Sequence, residues 1–230
     1  MQTPTPALYK SENYLVLDFE VGGDNATDPW ADGNNLVLAV WYYKGGMYSC
    51  FGNEYEQYTL LDHIDECDFI VAHNAKYELG WLHRCGHSIG SKPVFCTMVA
   101  QYVMLGNRKS PLSLNAVATA NGFGEQKLST VDTLIKKGMN VNDIPKDWLL
   151  EYCIQDVSLC HSVFVHQRDY LIARGLLNVF SSRAYLTPVL TDIELIGINL
   201  DDSRVEQVYL DITEEREKRR YELEQLTGGI

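Results

Sequence analysis

The sequence predicts an α/β fold in which a mixed sheet, an antiparallel meander plus a parallel strand, is flanked by helices and followed by a C-terminal helical extension. Three observations carry that prediction. Three β-rich runs open the chain, and Gly45-Gly46 between the second and third is a hairpin signal. A short apolar run then leads straight into a helical pattern, which is the mark of a strand–helix unit. Beyond it, helical periodicity dominates to the end, so strands first and helices later give a sheet covered by helices.

The first strand is "YLVLDFE" (14–20), and "NLVLAVWYY" (35–43) with "MYSCF" (47–51) completes the meander. "YEQYTLLDHIDE" (55–66) has helical spacing, and "DFIVAH" (68–73) is a short buried strand. "NAKYELGWLHRCG" (74–86) reads as a helix with Asn74 as its N-cap and Gly86 as its terminator. Two further helical stretches, "TMVAQYVML" and "PLSLNAVATAN", are separated by the breaker "GNRKSP". A polar, Gly-containing loop (121–130) precedes the helix "VDTLIKKGM", and Pro145 opens a long helix to about Arg174. A second region, 176–230, follows the first domain at 1–175 and ends in one long charged helix, "DDSRVEQVYLDITEEREKRRYELEQL".

Composition narrows the class. With 230 residues, 46% of them hydrophobic, the chain suits one globular domain and an appendage. The longest apolar runs are too short to span a bilayer, and residues 1–13 lack the apolar core of a signal peptide, so a cytoplasmic protein with no membrane partner is expected. The 6 cysteines form no CxxC pair and read as reduced thiols. A net charge of −12 argues against gripping nucleic acid through a broad basic surface. It leaves open an enzyme that meets phosphate through cations held on its own acids.

Several acids stand where the apolar pattern would not put them. Asp18 and Glu20 lie one residue apart at the end of the first strand, so both side chains project to the same face and Phe19 to the other. Like charges so placed repel, and a cation between them reverses the sign. Hard divalent ions with oxygen ligands, Mg²⁺ or Mn²⁺, match that need. Glu78 heads an apolar stripe continued by Leu82 and Cys85. Asp156 sits in the middle of the long helix's apolar face, one turn from Tyr152 on the same side. Each acid alone reads more readily as a structural ion pair than as a metal ligand. Four together, in a chain without a Walker or GxGxxG loop, point to a metal site.

In this order, these residues resemble the DEDD superfamily of 3′→5′ exonucleases, whose fold is RNase H-like. Asp18-Phe19-Glu20 matches the first motif, Asn74 with Glu78 in "HNAKYEL" the second, and Tyr152 with Asp156 in "YCIQDV" the third. A sister class carries His five residues before the last Asp; Glu151 stands there, so the tyrosine class fits. Glu78 replaces the usual Asp, and Val21 the Thr that often follows the first Glu. "SPLSLNAVATANGFGEQKLSTVDTLI" and "IPKDWLLEYCIQDV" look like the proofreading domain of family A DNA polymerases, phage enzymes especially. "LTPVLTDIELIGINLD" with its long helix looks like the segment leading into the polymerase thumb. Such polymerases continue beyond the point corresponding to "LTGGI", so the resemblance implies a truncated polymerase or one split over two chains.

The resemblance implies two-metal hydrolysis with two Mg²⁺ or Mn²⁺ ions, releasing nucleoside 5′-monophosphates from a single-stranded or frayed DNA 3′ end. Asp18 would bridge the ions, Glu20 and Asp156 would hold one, Glu78 the other, and Tyr152 would orient the attacking water. Phe19, Asn74 and Tyr77 would face the substrate, and the polymerase domain would be the partner, in cis or as a separate chain. An exoribonuclease of the same superfamily carries the same catalytic residues. A catalytically weak binding or spacer module is the reading outside the enzyme class.

Overall fold

The computed structural model describes residues 5–24, 28–52, 59–87, 92–106, 108–123 and 130–228. Five strands form one sheet: β1 (Tyr14–Gly22), β2 (Asn35–Tyr43), β3 (Gly46–Phe51), β4 (Phe69–Ala72) and β5 (Val94–Cys96). Their spatial order is β3-β2-β1-β4-β5. The expected meander is present, with β1/β2 and β2/β3 antiparallel, and β4 joins β1 in parallel. The sequence reading missed β5, which is parallel to β4 and only 3 residues long.

Helices α1 (Leu60–Glu66) and α2 (Lys76–Arg84) flank β4, and α3 (Thr97–Leu105), α4 (Leu114–Ala120) and α5 (Thr130–Lys136) follow. The long α6 (Lys146–Ala173) begins directly after Pro145, as expected. It is followed by α7 (Leu177–Ala184), α8 (Leu186–Ile196) and α9 (Asp202–Thr227). The start of the expected helix at 55–66 lies outside the described residues as far as position 58.

Alternation along β1 builds two cores. Leu15, Leu17, Phe19 and Val21 face one side and pack with Leu60, Ile64, Trp81 and Leu82. Tyr14 and Val16 face the other side, with Cys153, Val157, Cys160 and Phe164 of α6. Aromatic rings fill that second core: Phe95 lies 4.8 Å from Phe164 and 4.2 Å from Phe180, centre to centre. Tyr9 stands edge-on to Phe180 at 5.2 Å and donates from its hydroxyl to the Val94 carbonyl at 3.2 Å.

The chain divides into two compact units, one up to Leu195 and one from Ile196. The expected boundary after residue 175 falls inside the first unit, because Phe180 of α7 inserts into the aromatic core. In the second unit α9 has no buried residue. Its apolar side chains Val205, Val208, Ile212 and Leu223 are exposed, and it carries spaced ion pairs such as Arg219–Glu215 at 2.7 Å, four residues apart. Among the described residues no helix is long and apolar enough to cross a membrane.

Phe164 joins β1, β4, β5 and α6 through ring contacts with Tyr14, Phe69 and Phe95. Phe164→Ala should therefore lower the unfolding free energy by about 3–5 kcal/mol, read by denaturant titration.

Candidate active site

Strand pairing opens the place where the acids meet. β1 pairs with β4 from Tyr14 to Val16 only, whereas its pairing with β2 continues to Gly22. The carboxyl-terminal half of β1 therefore borders a crevice beyond the end of its parallel neighbour, the usual ligand position in such sheets. A register shift between Glu20 and Val21 marks a bulge at the same point.

Asp18 and Glu20 extend the row begun by Tyr14 and Val16, so the face that packs on α6 turns from apolar to acidic within one strand. The Cys153 thiol of α6 donates to Asp18 Oδ2 at 3.2 Å. Oxygens of Asp18 and Glu20 and the Cys153 sulfur all lie within 4.8 Å of one another. Burial and the neighbouring acids hold the thiol well above its ordinary range, so Cys153 stays protonated and acts as a donor.

β4 ends in a tight turn at Asn74, which adopts the left-handed conformation with φ 57°. Asn tolerates that region better than most residues. The turn swings α2 so that Glu78, 3% exposed, enters the interior. Glu78 Oε2 is buried and has no hydrogen-bond partner among the described residues. Burial first, then the Asp18 charge, pushes the Glu78 carboxyl well above the usual carboxylate range.

From α6, Asp156 and Tyr152 reach the same crevice. The Tyr152 hydroxyl also donates to Asp132 Oδ1 of α5 at 3.4 Å. Burial pushes Asp156 up to about 6, opposed by the Tyr152 hydrogen bond and assisted by the Asp132 charge. Asp18 is pushed up to about 7 by burial and then by Asp156. Glu20 is raised well above its ordinary value by burial, then by Asp18, Asp156 and Asp132. Burial and then Asp156, Glu20 and Asp132 raise the Tyr152 hydroxyl, so it remains a neutral donor. Among the described residues, none of Asp18, Glu20, Glu78 and Asp156 forms an ion pair with Lys or Arg.

This donor set suits hard divalent cations. Its members are carboxylates, they repel one another, and one buried oxygen on Glu78 has no partner among the described residues. Cys153 falls within ligand distance, but a protonated thiol on a site of oxygens is a poor partner for Mg²⁺ or Mn²⁺.

Asp18, Glu20, Glu78, Tyr152 and Asp156 are thus brought together. Tyr77 lies beside them, half-buried, its hydroxyl raised by burial and then by Glu78, Glu20 and Asp18. Phe19 is not with them: it is 5% exposed and packs in the opposite core, as strand alternation requires. Asn74 is exposed at the crevice side of α2 but does not cap it; the N-cap position is Ala75, without a side-chain bond. His73 is structural, its ring nitrogens each 2.8 Å from Thr97 Oγ1 and the Leu112 carbonyl oxygen. Two members escaped the sequence reading. Cys153 looked like one more apolar position of α6, and Asp132 like an ordinary acid in a helix's first turn.

No family model matches the chain, and no curated protein does. Solved structures do. The chain is similar to NrnC of Brucella melitensis bound to pGG, at 16% identity and TM-score 0.61, over 80% of this chain and 86% of that one. The same protein with bound Mg²⁺ gives 15% identity and TM-score 0.62, over 80% and 86%. A structure described as the apo form of a nuclease gives 16% and 0.63, over 84% and 90%. The RRP6 catalytic core of Trypanosoma brucei gives 15% and 0.52, over 80% of this chain and 48% of that one. The shared architecture is an RNase H-like fold, a mixed sheet flanked by helices.

Raised carboxyl pKa values mean that the native cluster holds more protons than the unfolded chain between about pH 4 and 7, so its stability contribution falls as pH rises through that window. Without divalent ions, Asp18→Asn should melt about 5 °C or more above the unsubstituted chain at pH 8, and at nearly the same temperature at pH 4. Thermal melts across the pH range check this. An equal offset at both ends would show that charge is not the cause.

Proposed function

We propose that the chain is a metal-dependent 3′→5′ exonuclease, a phosphodiester hydrolase that releases nucleoside 5′-monophosphates from the 3′ end of single-stranded or frayed nucleic acid. The observation that supports it most is the acid cluster, which has no Lys or Arg partner among the described residues, with Glu78 Oε2 buried and without a partner among them. Asp18, Glu20, Glu78 and Asp156 would hold two Mg²⁺ or Mn²⁺ ions. When bound, such ions neutralise charge on phosphoryl oxygens and acidify water.

The protein's own residues do the positioning. Tyr152 keeps its proton, which here goes to Asp132; turned from Asp132 to the attacking water, the same hydroxyl would orient it. Cys153 donates to Asp18 and limits which of its oxygens is available to a cation. A frayed end reaches the crevice more readily than a paired one, because unstacking has already occurred.

As to the polymer, we take DNA as the substrate and proofreading as the setting, with a polymerase domain in cis or on a separate chain. The support is the polymerase-like sequence of 110–135 and of the segment beyond 186. A specific observation favours RNA as the second reading: the solved structures of similar fold include NrnC with pGG and the RRP6 core.

Digestion of a 3′-recessed, mismatched DNA primer beside a matched RNA strand tests both. Stepwise shortening that requires Mg²⁺ or Mn²⁺ is expected, with Asp18→Ala slower by about 10³-fold or more and Tyr152→Phe by about 10–10²-fold at unchanged KM. Faster cleavage of RNA would move the substrate assignment. No metal-dependent shortening of either strand by the folded chain would overturn the enzyme reading in favour of a binding module.

A further inference from the structure

A cavity of about 350 Å³ opens along α2, lined in part by Trp30, Asn74, Lys76, Tyr77 and Glu194. Its size falls in the range of small-ligand sites. Tyr77 forms the link to the acids: it lines the cavity and directly precedes Glu78 on α2, and Glu78, Glu20 and Asp18 all act on its hydroxyl.

Trp30 is presented to this cavity by construction. The Trp30 amide donates to Asp28 Oδ1 at 2.9 Å, and Asn34 Nδ2 donates to the Asp28 carbonyl at 2.7 Å, which fixes the turn. That turn is seated on α2. A Cβ on Gly80 would come 3.2 Å from Pro29 Cγ, so the glycine permits the close approach. Arg84 lies 5.4 Å from the centre of the Trp30 ring, and His83 meets the ring edge-on at 5.7 Å. An indole held from behind by a cation would ordinarily be covered, yet Trp30 remains 43% exposed. On the far wall, Lys76 pairs with Glu194 of α8.

We infer that this cavity receives a nucleobase adjoining the scissile phosphate, stacked on Trp30 opposite Tyr77. The inference rests on the exonuclease reading and adds a subsite to it. A flat π-face is what Trp30 leaves open, every base offers one, and stacking on aromatic side chains is one of the two ways proteins hold single strands. Asn74, exposed at the mouth, supplies both a donor and an acceptor for a base edge.

The test uses the unsubstituted chain without divalent ions, so that strands persist, and a short labelled single strand followed by fluorescence anisotropy. Trp30→Ala should weaken binding about tenfold, on the usual strength of one base–aromatic stack, and Trp30→Phe should restore most of it. Removing one base at a time from the strand then locates the contact. At one of the two nucleotides flanking the scissile phosphate, loss of the base and loss of Trp30 should not add. Additive effects at every position, an unweakened Trp30→Ala, or a parent that binds no strand would each overturn the inference. Failure of the exonuclease reading looks different: Trp30-dependent binding would persist while the unsubstituted chain, given Mg²⁺ or Mn²⁺, cleaved nothing.

Discussion

Mutual repulsion among buried carboxylates is the constraint around which the first unit is organised. On top of burial, Asp156 raises Asp18, Asp18 and Asp156 raise Glu20, Asp18 raises Glu78 and Asp132 raises Asp156, and no Lys or Arg among the described residues pairs with the four acids. A charge removed from water without a partner costs several kcal/mol or is neutralised by a proton. The fold tolerates that cost because the acids are carried by elements whose own stability lies elsewhere, in the aromatic core around Phe164 and in the Trp81 core behind β1. Such separation of a strained centre from its supports is what a cation site needs, since the ion returns the missing charge.

Each support sets one coordinate of that centre. The strand period places Asp18 and Glu20 on the α6 side, and the bulge after Glu20 ends the regular ladder there. The left-handed turn at Asn74 directs α2 inward, and a helical turn separates Tyr152 from Asp156. Cys153, buried between the two, joins α6 to β1 directly at the acid itself. The same α2 carries the seat for Trp30, so the helix that bears Glu78 also forms one wall of the adjoining cavity.

Much of this was legible in the sequence because it depends on local periodicity. Acids at spacing two on a strand, and Tyr with Asp at spacing four on a helix, must share a face whatever the tertiary structure. Phe19 obeys the same rule in the negative: alternation alone sends it into the opposite core, away from any substrate. What stayed hidden depends on long-range packing. Asp132 reaches the site only because α5 is carried back to α6, and nothing in its own helix marks it. β5, three residues long, is a strand only by virtue of pairing with β4. Asn74 has the chemistry of a helix cap, but the turn out of β4 takes its backbone into the left-handed region, where it cannot serve as one.

Calorimetric titration of the chain with Mn²⁺ at pH 6.5, in two buffers of different ionisation enthalpy, tests the central claim most directly. Cation binding to acids that hold protons must release them, so the account predicts saturable binding whose heat depends on the buffer, with the weaker site lost in Glu78→Gln. Absence of saturable binding, or binding unaffected by both Asp18→Asn and Glu78→Gln, would contradict it.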